Sequence, residues 1–161
     1  TILAIDPGPE RSAWLLLEGS GVRGFGILSN LALVAKLRAR SPSGGLWEAS
    51  EADVLAIENI EPRYGLSTGW ETLDTARWVG RFEEAAQPLP VGLLKRSSIL
   101  RHLGIASRGN ADQGVRMALI DRYGGKAAAI GTVKAKGPLH GITTHCWAAL
   151  AVAVTWADLH S

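Results

Sequence analysis

The sequence predicts an α/β chain: a mixed five-stranded sheet, three antiparallel strands followed by parallel ones, with helices on both faces. Three observations predict it. Strand patterns follow one another from residue 2 to residue 28, joined by turns marked with Gly and Pro, and helical and strand patterns then alternate. The third concerns strand ends. Ile2-Leu3-Ala4-Ile5-Asp6 and Val54-Leu55-Ala56-Ile57-Glu58 are apolar on both faces, as buried strands are, yet each ends on an acid. Core burial explains the apolar run and does not explain the acid.

Taken in order, Ile2–Asp6, Ser12–Leu17 and Val22–Leu28 are the first three strands. Asn30 is placed to cap a short helix reaching about Arg40, which stops before Ser41-Pro42-Ser43-Gly44-Gly45. Val54–Glu58 is the fourth strand. A polar loop from Glu61 to Ser67 leads to a long helix, Gly69 to Ala86, which Pro88 and Pro90 end. Val91–Leu94 is the fifth strand, and a helix from Ser97 to Leu103 follows. The next helix, Ala111–Tyr123, has Asn110 as N-cap and Asp112 in its positive first turn. Ala127 to Pro138 reads as a Gly/Ala/Lys loop and a candidate mobile segment. The last helix spans Thr143–Leu159.

A length of 161 residues suits one domain, 1–161, with a sizeable core. The apolar share of 47% and charged share of 20% are those of an ordinary globular protein. The single cysteine, Cys146, excludes a disulfide framework and a cysteine-based zinc site. It lies in an apolar run, so an inert buried thiol and a reducing compartment, the cytoplasm, are expected. No secretory leader is visible. The longest apolar stretch, Cys146 to Ala157, falls short of the roughly 20 residues a spanning helix needs, so no membrane is expected.

The net charge of +2 conceals an asymmetry. Residues 63–140 carry 12 Lys and Arg against 6 Asp and Glu, while the rest carry 5 against 9. A basic centre suits a polyanionic partner; a solvated surface is the alternative.

Asp6 and Glu58 are hard oxygen donors of the kind that hold Mg²⁺ or Mn²⁺. With one more ligand they could hold two ions about 4 Å apart. His145, one turn into the last helix, is the natural third donor; a satisfied histidine near a helix N-terminus is the structural alternative.

These elements together resemble the RuvC-type Holliday-junction resolvases of the RNase H-like, or retroviral-integrase-like, nuclease superfamily. The residues that carry the resemblance are Ile5-Asp6-Pro7-Gly8, Ile57-Glu58, and His145 followed by Ala148-Ala149-Leu150-Ala151. Leu94-Lys95-Arg96 and Arg108-Gly109-Asn110-Ala111-Asp112 to Arg116 are similar to the family's basic helix–loop–helix stretch. The resemblance implies an RNase H-like sheet and a homodimer that cuts four-way DNA junctions by paired symmetric hydrolysis, leaving 5′-phosphate and 3′-hydroxyl ends. It implies two Mg²⁺ or Mn²⁺ ions per site: Asp6 bridging them, Glu58 binding one, and His145 binding the other or the attacking water. It implies the cytoplasm of a bacterial cell or a phage-infected bacterium. An actin-like ATPase shares an Asp-x-Gly first strand but needs a second phosphate-binding Gly motif, which this chain lacks.

One position departs from the family pattern. A carboxylate is expected where this chain has Ala148, one turn after His145 on the same helix face. Either an Asp has been replaced, or the site works with His145 alone or recruits another acid such as Glu61. Asp158, 13 residues from His145, faces another side of the helix. An inactive or weakly active junction-binding protein is the rival reading.

For DNA, Arg63, Tyr64, Lys95, Arg96, Arg108, Lys134 and Lys136 are the candidate contacts. Arg101 joins that basic stretch. Tyr64 or Trp70 could stack on an unpaired base, with packing at its helix start the alternative for Trp70. Arg77, Arg81 and Arg116 read as solvated helix faces.

Overall fold

A computed structural model describes residues 1–39, 51–61, 69–106 and 109–161. Its sheet has the order β3-β2-β1-β4-β5, formed by β1 (Ile2–Asp6), β2 (Arg11–Glu18), β3 (Gly21–Ser29), β4 (Val54–Asn59) and β5 (Val91–Lys95). β1, β2 and β3 pair antiparallel. β4 and β5 continue on the other side of β1, parallel to it. Every strand lies within one residue of its expected bounds. Six helices accompany the sheet among the described residues: α1 (Asn30–Arg38), α2 (Trp70–Ala86), α3 (Arg96–His102), α4 (Ala111–Arg122), α5 (Lys126–Ala129) and α6 (Cys146–Leu159).

Side chains alternate across a strand, so a strand covered on both faces must be apolar throughout. In β1, Leu3 and Ile5 pack with Leu33 and Leu37 of α1 and Val79 and Phe82 of α2. Ala4 lies in the opposite cluster, with Ala56 of β4, Leu119 of α4 and Leu150 of α6. Small residues at 4 and 56 let α6 lie close to the sheet. Gly92 of β5 serves the same end: a Cβ there would sit 1.9 Å from the Trp156 ring. Phe82 is fully buried, and its truncation to Ala would cost about 3–5 kcal/mol.

Three expectations are corrected. Asn30 does not cap α1; Ser29 does, its Oγ accepting from the Ala32 N–H at 3.3 Å. Asn30 is buried and turned inward. α6 begins at Cys146 with His145 as its N-cap, not at Thr143. The preceding Thr144 holds φ at +41°, off the right-handed helical path, so the regular helix cannot start earlier. Residues 127–138 are not a free loop. Gly131 and Lys136 form an antiparallel bridge, and the Leu139 N–H donates to the Ala129 carbonyl at 2.8 Å. Leu139 is wholly buried and tethers the segment's end.

α6 is buried over most of its surface, which accounts for its apolar run. No helix among the described residues is long and apolar enough to cross a membrane. Cys146 is buried, and desolvation pushes its thiol up to about 11, in keeping with an inert side chain.

Candidate active site

Ile5 of β1 and Ile57 of β4 are register partners in a parallel pair. Asp6 and Glu58 follow them, so two acids emerge side by side at the same end of adjacent central strands. Their side chains are 14% and 12% exposed.

The chain beyond Asp6 turns sharply. A Cβ on Gly8 would lie 2.4 Å from the Arg11 carbonyl oxygen, so only glycine fits this close approach. The turn is held from beneath by a closed ring of hydrogen bonds. The Gly8 N–H donates to Ser12 Oγ at 3.2 Å, Ser12 Oγ donates to Asn30 Oδ1 at 2.6 Å, and Asn30 Nδ2 donates back to the Gly8 carbonyl at 2.8 Å. Ser12 and Asn30 are each 1% exposed. Their support of Asp6 has no sequence signature, because a serine in a strand and an asparagine before a helix have commoner explanations.

His145 reaches the same point from α6. Its Nδ1 lies 3.3 Å from Asp6 Oδ2, and the ring is otherwise exposed. The hydrogen bond to Asp6 raises its pKa above the ordinary 6.5, against a smaller opposing effect of burial.

Glu58 has the most perturbed carboxyl of the site. Burial first, and the charge of Asp6 second, raise it from 4.5 to about 7, while Arg96 pulls the other way. Arg96 is the first residue of α3, and Leu94, two positions earlier, is the register partner of Glu58. Its Nη1 lies 3.4 Å from both Glu58 oxygens, and its Nη2 donates to Asp112 Oδ1. Asp112, in the first turn of α4, thus belongs to the site electrostatically; its charge acts on both Glu58 and His145. Sequence reasoning assigns Asp112 to the helix dipole and to the basic stretch, and not to the cluster of acids.

The donors, Asp6, Glu58 and His145, suit a hard divalent ion, and Ala148, Glu61 and Asp158 bring no further carboxylate to them. Ala148 stands at the third position of α6 with no carboxylate to offer. Glu61 is engaged elsewhere: it accepts from the Ser97 N–H and Oγ, both at 2.9 Å, at the N-terminus of α3. That backbone hydrogen bond holds its carboxyl below the ordinary value. Asp158 pairs with Arg122 and His102, each at 2.7 Å, about 20 Å along α6 from His145. Among the described residues no three His, Cys, Asp or Glu side chains gather into a set that could hold a metal. Glu58 faces Arg96, which leaves Asp6 and His145 as the converging pair.

The basic candidates are dispersed. Lys95 is exposed at the end of β5, the register partner of Asn59, and its charge acts on Glu61. Lys134 and Lys136 are exposed between α5 and α6. Arg96 points its guanidinium at Glu58 and Asp112. Arg63, Tyr64 and Arg108 lie outside the described residues. Trp70 is 81% exposed, so packing does not explain it. Arg81 lies over the Trp78 ring at 4.2 Å and Arg77 pairs with Asp74 at 3.3 Å, both on the outside of α2. Arg116 is exposed on α4, with its guanidinium 5.5 Å from the ring centroid of Trp147.

No family model matches the chain, and no curated protein matches it. Solved structures do match. Thermus thermophilus RuvC superposes with a TM-score of 0.64 at 15% identity, over 99% of this chain and 96% of that one. T. thermophilus RuvC in complex with Holliday junction substrate gives a TM-score of 0.64 at 14% identity, over 99% of this chain and 93% of that one. With its mixed sheet in the order β3-β2-β1-β4-β5, the chain has the RuvC-like, RNase H-like fold.

Proposed function

We propose that this protein is a metal-dependent endonuclease that resolves four-way DNA junctions by paired symmetric cuts. The reading rests on one observation: Asp6 and Glu58 emerge together from adjacent strand ends, with His145 3.3 Å from Asp6. The likeness to RuvC, one of whose structures holds a Holliday junction substrate, supports the choice of DNA.

Asp6 and His145, with Glu58 alongside, would hold a Mg²⁺ or Mn²⁺ ion. When bound, such an ion lowers the pKa of its water and offsets charge on a phosphodiester. His145 would orient the attacking water by hydrogen bonding, since its exposed ring faces solvent on the side away from Asp6. The cut would leave 5′-phosphate and 3′-hydroxyl ends. Lys95, Arg116, Lys134 and Lys136, with Arg63, Tyr64 and Arg108, would draw in the DNA backbone that the acids repel. A homodimer would supply one site per strand of the junction, in the cytoplasm of a bacterial cell or a phage-infected bacterium.

The test is a synthetic four-way junction incubated with Mg²⁺ or Mn²⁺, comparing this chain with Asp6→Asn. Paired symmetric nicks lost in the variant are the expected outcome. A second reading, a junction binder that cuts poorly, is favoured by Ala148; it would give a shifted band in a gel and no nicks from either protein.

A further inference from the structure

Arg96 stands between two acids, Glu58 and Asp112. It opens α3 at the end of β5, and the β4–β5 register sets it beside Glu58. One nitrogen lies 3.4 Å from both Glu58 oxygens while the other binds Asp112. A planar guanidinium with five donors can bridge two carboxylates in this way, and it keeps its charge at any working pH. Asp6, beside Glu58 at the strand ends, and Asp112, joined to Glu58 through Arg96, flank one carboxylate. Their charge is met by a histidine on the Asp6 side and an arginine on the Glu58 side.

The donor inventory points the same way. The position that could add a carboxylate beside His145 is Ala148, and Glu61 is engaged at the N-terminus of α3. A second ion would lack ligands near His145 and meet an arginine near Glu58.

We infer that the centre is built for a single divalent ion, and that Arg96 serves as its fixed second cation, held on Glu58 by Asp112. Arg96 is thus a positioning residue for Glu58 and a permanent charge for the substrate phosphate. This rests on the metal-dependent reading above and specifies what that site takes.

The experiment counts Mn²⁺ bound per chain by electron paramagnetic resonance of the free ion, checked by isothermal titration calorimetry. The unaltered chain is expected to bind one Mn²⁺, lost in Asp6→Asn. Arg96→Gln uncovers Glu58 and Asp112 and is expected to bind two. Arg96→Gln combined with Asp112→Asn returns to one, and Arg96→Lys, which keeps the charge, stays at one. Circular dichroism and a melting curve establish that each variant is folded. A purely structural arginine would leave all these counts equal. The count on the unaltered chain stands even if a variant fails to fold: two ions there would overturn the inference and leave the nuclease reading intact. No Mn²⁺ lost on Asp6→Asn would overturn both. One ion bound with no junction cleavage would overturn the nuclease reading and leave the role of Arg96 standing.

Discussion

Nδ1 of His145 lies 3.3 Å from Oδ2 of Asp6, tying the first residue of the α6 cap to the last residue of β1. Residues 139 positions apart in the chain thus meet at one point. The contact raises the His145 pKa above 6.5. The sign follows: the pairing contributes in full below 6.5, where the imidazole is charged in both states, and is lost as pH rises through the higher folded value. Because the ring is largely exposed, its contribution to stability is small. Titration of the His145 ring by NMR is expected to give a midpoint above 6.5 that falls in Asp6→Asn. Identical midpoints in the two proteins would mean the pair does not form in solution.

Glu58 gives the same direction of pH dependence from a different cause, the burial of its carboxyl. With its folded pKa at about 7 against 4.5, the native chain holds a proton that the unfolded chain has lost throughout that window. Stability therefore falls as pH rises from 4.5 to 7, and the full cost, on the order of 3 kcal/mol, applies above 7. Glu58→Gln removes the ionisation. Its melting temperature is expected to exceed that of the unaltered chain at pH 8 and to match it closely near pH 4.5, while nicking is lost. A shift of equal size at both pH values would contradict the burial argument.

The ring of Gly8, Ser12 and Asn30 makes the Asp6 turn sensitive to residues that never touch a substrate. Asn30→Ala leaves the Ser12 hydroxyl and the Gly8 carbonyl without their partner in a buried place, at a cost of about 1–3 kcal/mol. Urea unfolding of the two single variants and of Ser12→Ala/Asn30→Ala is expected to show coupling above about 0.5 kcal/mol. Junction affinity should hold while nicking falls, because the basic rim is untouched. Simple additivity of the two changes would remove the ring from the account of Asp6.

How much of this the chain discloses before folding depends on the kind of residue. An acid ending an apolar strand stands out because burial cannot explain it, so Asp6 and Glu58 are readable directly, and so are the sheet and its strand bounds. Arg96 is not: an arginine after a strand serves a phosphate or a carboxylate equally well until the register places it beside Glu58. Asn30 misleads for a related reason. Both it and Ser29 can cap a helix, and only the three-dimensional position of Ser12 decides which turns inward. Residues 127–138 read as mobile from their glycines and alanines, while the anchor, Leu139, lies just past that composition.

Ala148 is where the site can be improved. It occupies the third position of α6, half-buried, one turn from the His145 cap. An acid in the first turn of a helix is favoured by about 0.3–1 kcal/mol, so Ala148→Asp should fold. The new carboxylate would stand on the His145 side, away from Arg96, and add a hard donor to the ion that Asp6 and His145 would hold. Tighter Mn²⁺ binding and Mg²⁺-dependent junction nicking faster by about tenfold are expected, equivalent to about 1.4 kcal/mol of barrier. The comparison is made side by side, with Asp6→Asn/Ala148→Asp as the control that should remain inactive. Nicking no faster than in the unaltered chain would mean that the missing carboxylate does not limit this site, leaving Arg96 as the residue that sets its strength.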